Sequence, residues 1–423
     1  MVLRALGDVL NVASERFDLL TGLLALVVAS SLVLLLFGLS TEPGRIEILQ
    51  LPTTLTQIFF VFVAARQKTY QTAFMELTRA QHVLIGVLIA YVAFISFSSD
   101  IPSASAFGLA WIVHVMFFVA VVLYARLQVA DVMGFIWLVC GIVALGHVAA
   151  FLFAWALWPE QIRANHLPAF DNVRHLGYFL APVAAVMAVQ TMMNSTRLVL
   201  PVVCYGASVF YLIHTGSRGG AVAFIAGLAV ISCFCIWQRQ RVRVTGVAAM
   251  VLVTVLVSVF SLLSPTLPWL PLFERGAAIA DQTGTQMLSG RADVWRFAAI
   301  AISQNVVFGY GPGLMGQIPE YLGSPFRHPH NIGLQLMLHW GAIGTLIMLA
   351  TVSAFIPNLI RALKRNPSNA VLPFVALVTM IVHSLVDGGL FYPYSVPVAI
   401  IAFAMLEGLG HQTISQENEP APS

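Results

Sequence analysis

The stretch HPHNIGLQLMLHWG, residues 328–341, places two histidines around a proline at the start of a long apolar run. A histidine has an unperturbed pKa of about 6.5, so at such a boundary it can accept a proton near neutral pH. Pro329 restricts His328 to extended backbone and favours a helix that begins just after it. His330 is therefore a candidate general base, and Asn331 beside it is a candidate substrate contact. The alternative is an ordinary helix start that Asn331 caps, with His330 in no special role.

An arginine followed by glycines, Arg218, lies in the stretch HTGSRGG, residues 214–220, between two apolar runs. Its guanidinium is a planar fork that fits phosphate oxygens and stays charged at any relevant pH. The glycines after it would let a bulky phosphate approach the backbone. Arg218 is therefore a candidate anion clamp. The alternative is an arginine that reaches lipid headgroups at the membrane surface.

Four further arginines occupy the long polar segment before the histidines: Arg275, Arg291, Arg296 and Arg327. Together with Arg218 they predict a positively charged pocket at the membrane surface. Arg275 and Arg291 flank a stretch rich in glycine and threonine and are the candidates for anion contacts. Arg296 lies five positions after Arg291, which on a helix turns it to another face, so we assign it to a solvated surface.

An acidic residue, Asp387, follows a later apolar run in the stretch HSLVDGGLFYPYS, residues 383–395. A carboxylate at a membrane boundary is a candidate functional residue by default. Two interpretations stay open: a contact to substrate, or a salt bridge that holds one of the arginines. His214 and His383 could lie at the same membrane boundary as Asp387, but packing inside the bundle is the interpretation we favour for both.

A metal centre is the weaker interpretation of these residues. The HPH triplet supplies only two histidines, and the long polar segment has few carboxylates, namely Glu274, Asp281, Asp293 and Glu320. A magnesium site normally requires a cluster of carboxylates. We therefore predict no metal, with arginines neutralising a bound anion instead.

The composition predicts the elements that position these residues. The 423 residues are 59% hydrophobic and 9% charged, whereas a soluble domain carries about 25% charged residues. Apolar runs of about 20 residues recur along the chain, and each can cross a hydrocarbon core of roughly 30 Å. Within lipid the backbone must satisfy its own hydrogen bonds, so the runs are predicted to be helices.

The predicted fold class is an all-α, polytopic membrane helical bundle with about 12 transmembrane helices. The predicted spans are 17–38, 47–65, 81–98, 106–125, 130–157, 177–193, 197–214, 219–237, 244–263, 331–357, 370–386 and 396–410.

Lysine and arginine predict the orientation of the spans, since both are enriched on the cytoplasmic side. With the N-terminus in the cytoplasm, 13 of the 21 lysine and arginine residues fall on that side. Both termini are then cytoplasmic, and residues 264–330 form one large loop on the far side between the ninth and tenth spans. Residues 1–410 are predicted to form a single transmembrane domain whose first span is retained. Residues 411–423 are predicted to form a disordered, polar cytoplasmic tail.

Part of the large loop is predicted to be structured. SGRADVWRFAAIAISQN, residues 289–305, predicts a helix on or near the membrane surface, with Asp293 in its first turn where a negative charge suits the helix dipole. FGYGPG, residues 308–313, predicts a glycine-rich turn that ends this helix. Loops of this length without a role are uncommon, so we expect this loop to carry function.

Three stretches, in this order, resemble the O-antigen ligase and polymerase superfamily of bacterial inner-membrane glycosyltransferases. They are SRGG at 217–220, GRADVWRFAAIAISQNVVFGYGPG at 290–313 and HPHNIGLQLMLHWGAIGTL at 328–346. The resemblance implies a GT-C-like helical bundle with a large periplasmic loop over a lipid-facing cavity. It also implies a donor glycan carried on undecaprenyl diphosphate, and a reaction that needs neither a cofactor nor a metal.

The resemblance assigns catalytic roles to His330, Arg218 and Arg291. Asn331 matches the residue that follows the family's histidine, and Asp387 is a further match; both are taken as substrate-binding. Arg275 is added from its position as a contact to the diphosphate. The implied partners are the undecaprenyl-diphosphate-linked glycan, a lipid A-core acceptor and membrane lipids, and no nucleic acid.

Within the superfamily, the compact chain and the number of predicted spans favour an O-antigen ligase. An O-antigen polymerase and a protein O-oligosaccharyltransferase stay open as alternatives. From a different class, a transporter or flippase for a polyprenyl-linked glycan would place charges at mid-membrane and show inverted repeats. The candidate residues are instead predicted to cluster at one surface.

Overall fold

The computed structural model describes residues 18–38, 51–158, 173–193, 199–239, 242–263, 291–313, 315–318, 328–392 and 395–418. Within these ranges the regular structure is entirely helical, which confirms the all-α fold class. The α-helices are α1 Leu19–Gly38, α2 Leu51–Arg66, α3 Lys68–Met75, α4 Arg79–Ser98, α5 Ala104–Leu157, α6 Gly177–Met193, α7 Val199–His214, α8 Arg218–Trp237, α9 Val244–Leu263, α10 Arg291–Gln304, α11 Ile332–Ser353, α12 Ile356–Arg365, α13 Pro367–Val386 and α14 Val396–Asn418. Short 3-10 helices lie at Val173–Leu176, Met315–Gln317 and Gly389–Phe391.

The apolar helices coincide with the predicted spans. In the described part of the chain, 7 helical segments are long and apolar enough to cross a membrane. Further apolar helices occupy the other predicted positions, and these are α1, α2, α6, α7 and α14. The chain is therefore a polytopic helical membrane protein.

Helix α5 departs from the prediction of two spans joined by a loop. Its helical backbone runs without interruption from Ala104 to Leu157. The predicted loop, RLQV at 126–129, contains neither glycine nor proline, so it has no residue that breaks helical hydrogen bonding. A straight helix of this length would measure about 80 Å, far more than the roughly 30 Å of a hydrocarbon core. Two spans, Ala104–Val129 and Val132–Leu157, are accordingly recognised within it.

The C-terminal residues also depart from the prediction. Disorder is predicted after His411, but α14 continues to Asn418. Glu407 of α14 forms a buried ion pair with Arg126 of α5, with 2.5 Å between Nη2 and Oε1. Gln412 donates a hydrogen bond to the carbonyl of Arg126 (3.2 Å). These contacts hold α14 against α5 around residue 411, where the disordered tail is predicted to begin.

The predicted helix in the large loop is confirmed as α10, with Asp293 in its first turn. The glycine-rich turn follows it and contains left-handed backbone at Gly309 and Gly311, with φ of 72° and 84°. Most of the remaining loop, including 264–290 and 319–327, lies outside the described residues.

This turn packs into a break in α11 at Gly341, where φ is 59°. Gly311 in the turn donates its N–H to the carbonyl of His339 (2.8 Å). A Cβ at position 341 would lie 2.6 Å from the nitrogen of Gly309, so a larger residue would push the turn away. The single long span predicted here is therefore interrupted, and α12 follows it as a separate helix.

The candidate residues meet at one end of the bundle, which we call the site end. Helices α6, α8 and α13 pack against one another, and the start of α6 lies beside the turn before α8. A Cβ at Gly177 would lie 2.8 Å from Oγ of Ser217, and a Cβ at Gly219 would lie 3.2 Å from Oδ2 of Asp387. Helix α10 packs against α11, which begins at the same end. Helix ends thus bring residues from distant parts of the sequence together.

Candidate active site

Asp387 lies at the centre of the candidate site, immediately after α13. Its Oδ1 accepts hydrogen bonds from Nδ1 of His330 (2.5 Å), the hydroxyl of Tyr178 (3.0 Å) and the N–H of Gly388 (2.9 Å). Its Oδ2 accepts a hydrogen bond from Nη2 of Arg291 (3.0 Å). The carboxylate therefore joins the starts of α6, α10 and α11 to the end of α13. The salt-bridge interpretation of Asp387 is confirmed, and the same carboxylate also contacts the candidate base.

The surroundings of Asp387 keep it ionised. Burial by itself would raise the pKa of Asp387, but the hydrogen bond and charge of His330 and the charge of Arg291 outweigh burial and lower it. An ionised carboxylate only accepts hydrogen bonds, so whenever the His330 ring carries a single proton, that proton is on Nδ1. Nε2 then has the lone pair, and no residue in the described ranges hydrogen-bonds to it. His330 is thus held in the tautomer that a general base requires.

The backbone of His330 is left-handed, with φ of 52°. A residue other than glycine adopts this conformation at a cost of about 1–3 kcal/mol, and such strain persists where surrounding contacts hold it. The N–H of His330 donates to Nδ1 of His328 (3.3 Å), and the two rings lie 4.2 Å apart. Strain of this kind is concentrated at functional sites.

Asn331 caps α11 directly after His330. Its side-chain oxygen accepts the N–H of Leu334 (3.1 Å), and its amide donates to the carbonyl of Leu385 (2.9 Å). The capping interpretation of Asn331 is therefore confirmed, and the cap defines where the helix begins relative to the candidate base. The substrate contact proposed for Asn331 stays a prediction.

Arg218 is the first residue of α8 and is half-buried. The next residue, Gly219, packs against the central carboxylate and against His383: a Cβ there would lie 3.2 Å from Oδ2 of Asp387 and 3.4 Å from Nε2 of His383. Arg291 lies close enough to Arg218 for their positive charges to repel. Arg291 is therefore paired with the central carboxylate, and Arg218 lies near Arg291, next in sequence to a glycine that packs against that carboxylate.

A group of rings encloses His328. Its Nε2 lies 2.7 Å from the hydroxyl of Tyr392, which lies 3.2 Å from Nε2 of His175. Tyr178 stacks on Tyr392 with 5.0 Å between ring centroids. Burial, followed by the nearby charge of His330, lowers the pKa of His328 well below its ordinary value. His328 is therefore neutral at physiological pH.

The sequence analysis missed this group of rings. Tyr392 lies in the same stretch as Asp387, and that proximity could have identified it. Tyr178 and His175 lie more than two hundred residues before Asp387, and no spacing pattern connects them to the site. His383, one turn before Asp387 in α13, is buried with neither ring nitrogen hydrogen-bonded in the described structure.

The remaining predicted residues are less informative. Arg275 and Arg327 lie outside the described residues, so their roles stay predictions. Arg296 is exposed on α10, as expected for a solvated helix face. His214 hydrogen-bonds Ser261 of α9 (2.8 Å), which fits its predicted packing role. Among the residues that the structure describes, no three histidine, cysteine or acidic side chains are grouped to hold a metal ion.

The fold and the site define a polytopic helical membrane protein with a histidine–aspartate pair and two arginines at one end of its bundle. Residues 203–349 match the family model described as O-antigen ligase. The match contains Arg218, Arg291 and His330 and ends before Asp387. It confirms the resemblance to the O-antigen ligase and polymerase superfamily, and it indicates a glycosyltransferase-like enzyme of this kind. A search of curated proteins finds no match to the chain.

Proposed function

We propose that the protein is an O-antigen ligase. It transfers O-antigen glycan from undecaprenyl diphosphate to the lipid A-core oligosaccharide, at the periplasmic face of the bacterial inner membrane. One observation carries the proposal: His330 has Nδ1 bound to Asp387 (2.5 Å) and Nε2 without a described partner, while Arg291 binds the same carboxylate and Arg218 lies near Arg291. This arrangement suits a transfer in which a hydroxyl loses a proton and a diphosphate leaves.

In the proposed reaction His330 is the general base. Its Nε2 accepts the proton of an acceptor hydroxyl while that oxygen attacks the anomeric carbon of the donor. The bond from this carbon to the diphosphate oxygen breaks in the same displacement, so the anomeric configuration inverts. Asp387 then stabilises the imidazolium through Nδ1, as the aspartate does in a catalytic triad. A positioned base of this type contributes roughly 10²–10⁴-fold to a rate.

Arg218 and Arg291 are the proposed contacts to the leaving group. Negative charge grows on the diphosphate as the glycosidic bond breaks, and fixed guanidinium groups stabilise that charge most in the transition state. Two observations support this role: Arg291 is held in place by Asp387, and Arg218 lies close enough to Arg291 for their positive charges to interact. Arg275 is proposed as a further diphosphate contact, and Asn331 as a contact to the glycan.

The proposed reaction needs no cofactor or metal. The sugar–diphosphate bond of the donor supplies the free energy of transfer, and arginines take the place of a cation at the diphosphate. The proposed orientation, with both termini in the cytoplasm, is supported by the basic end of α12, where Lys364 and Arg365 lie. This helix contacts Glu407 through Asn358 at the end of α14 away from the site, and basic residues favour the cytoplasmic side.

The test is a transfer assay with purified protein in lipid nanodiscs. The donor is an undecaprenyl-diphosphate-linked glycan and the acceptor is lipid A-core oligosaccharide, in buffer containing a metal chelator. A ligase forms glycan attached to lipid A-core and releases undecaprenyl diphosphate. Longer carrier-linked glycans, formed without lipid A-core, would instead identify a polymerase. Transfer of donor between leaflets without new glycosidic bonds would identify a flippase.

Variants assign the activity to the site. His330→Ala should abolish transfer while the protein still binds donor, and Arg291→Gln should lower kcat by roughly 10²-fold or more. Arg296→Gln is the matched control, since it removes an exposed charge from the same helix. Transfer at the normal rate by His330→Ala would refute the proposed mechanism.

A further inference from the structure

The strained backbone of His330 is held by a chain of hydrogen bonds that the proposed reaction does not use. The N–H of His330 donates to Nδ1 of His328 (3.3 Å). Since this nitrogen accepts, the proton of the neutral His328 ring is on Nε2, which donates to the hydroxyl of Tyr392 (2.7 Å). The hydroxyl of Tyr392 in turn donates to Nε2 of His175 (3.2 Å). The chain runs in one direction from the backbone of His330 into the bundle.

The place of the His328 ring depends on a glycine next to Asp387. A Cβ at Gly388 would lie 2.6 Å from Nδ1 of His328, a distance that would displace the ring. The neighbouring Gly389 is less restricted, because a Cβ there would lie 3.2 Å from Oγ of Ser384. The first glycine after Asp387 therefore gives the ring its space beside the candidate base.

We infer that His328 and Tyr392 are positioning residues for His330. They hold its left-handed backbone so that Nδ1 stays on Asp387 while Nε2 faces the acceptor hydroxyl. This inference rests on the proposed function, since it gives His330 the role of base. Neither residue touches the reacting atoms; each acts through the conformation of His330.

If the hydrogen-bond chain had only a structural role, its loss would have a different effect from the loss of a positioning role. If the chain only stabilised the loop before α11, its loss would lower the melting temperature and leave the properties of the folded enzyme unchanged. If it positions His330, its loss reduces the fraction of folded protein in which the base is correctly placed. This loss lowers kcat and leaves the KM for donor and acceptor unchanged.

The test uses full-length protein in nanodiscs with the transfer assay and a thermal melt on each variant. Tyr392→Phe removes one hydroxyl, and kcat should fall roughly 5- to 10-fold with KM unchanged, the loss of one hydrogen bond. His328→Asn places an oxygen near the position of Nδ1 and can still accept the N–H of His330. His328→Gln places a donor near the position of Nε2 and keeps only the contact to Tyr392. We therefore expect the His328→Asn variant to have a higher kcat than the His328→Gln variant.

Two glycine variants give a matched comparison. Gly388→Ala should lower kcat at least as much as Tyr392→Phe, because it displaces the His328 ring. Gly389→Ala should leave kcat within about twofold, since the nearby hydroxyl can give way. Equal kcat for all variants, or a higher kcat for His328→Gln than for His328→Asn, would overturn the inference.

His330→Ala separates this inference from the proposed function. If His330→Ala is inactive while Tyr392→Phe and His328→Gln keep normal kcat, the positioning role is wrong and the base role stands. If His330→Ala transfers glycan normally, the base role is wrong and the positioning role falls with it.

Discussion

The substitution Asp387→Asn tests whether the carboxylate of Asp387 supports His330 as the proposed base. The substitution keeps the size of the side chain and removes its charge. Oδ1 accepts three hydrogen bonds, from His330, Tyr178 and Gly388, whereas Oδ2 accepts one from Arg291. The asparagine oxygen should therefore occupy the Oδ1 position, because the opposite orientation would point its NH₂ group at three donors. In this orientation the tautomer of His330 is preserved.

The expected magnitude follows from that orientation. Asparagine still accepts from Nδ1 of His330 but no longer stabilises an imidazolium, and a hydrogen bond to a charged group contributes roughly 1.5–3 kcal/mol. This loss corresponds to a decrease in kcat of roughly 10- to 150-fold. If the amide were reversed, His330 would adopt the wrong tautomer, and the loss would approach the roughly 10⁴-fold known for a catalytic triad. The size of the decrease thus reports the orientation of the amide.

The assay is transfer of glycan to lipid A-core under single-turnover conditions at pH 7 and above. The pKa of Asp387 is lowered, so the wild-type carboxylate is ionised throughout this range. Asp293→Asn is the control, because it removes an exposed carboxylate from α10, two residues after Arg291. A decrease of less than threefold for Asp387→Asn, with the control unchanged, would refute the role of this carboxylate in the base.

Other substitutions test further parts of the structure. Arg218→Lys should lower kcat by roughly 10-fold or more, because a lysine keeps the charge but loses the planar fork; a transfer assay checks this. Gly219→Ala should impair transfer more than folding, since its Cβ would press on the central carboxylate; transfer and a thermal melt are compared. Gly341→Ala should lower the melting temperature, because φ is 59° there, whereas Gly86→Ala, with open space around it, should not. Melting temperatures should also fall as pH drops below about 6.5, because the pKa of His328 is lowered in the folded state and histidine in the unfolded chain takes up protons first. His328→Gln should reduce that fall.

The number and positions of the spans could be predicted because the bilayer determines the length of an apolar run. Two features could not be predicted in this way. The continuity of α5 depends on the absence of helix-breaking residues between two spans. A prediction based on apolar runs does not take that absence into account. The break at Gly341 depends on the turn after α10, whose backbone pairs with α11 from a different part of the chain. Only the packed structure brings these two segments together.

The site could be predicted in part for a related reason. Arg218, Arg291, His330 and Asp387 are noticeable because polar residues beside apolar runs are energetically expensive unless they have partners. Tyr178 belongs to a residue type that is common at span ends in any membrane protein. Its hydrogen bond to the central carboxylate depends on which helix ends meet, and sequence spacing contains no information on that.

Two ionic clusters among the described residues differ in their burial and in the charges around them. At the end away from the site, Arg126 and Glu407 are 5% and 0% exposed, and Asn358 gives the same carboxylate a further hydrogen bond (2.8 Å). Charge is balanced there, as a buried ion pair requires. At the site end the side chains of Arg291 and Asp387 are 25% and 15% exposed, and Arg218 adds a second positive charge nearby. These two guanidinium groups lie close enough for their positive charges to repel. A diphosphate is an anion of suitable charge, and its binding would relieve the repulsion where the proposed base is held.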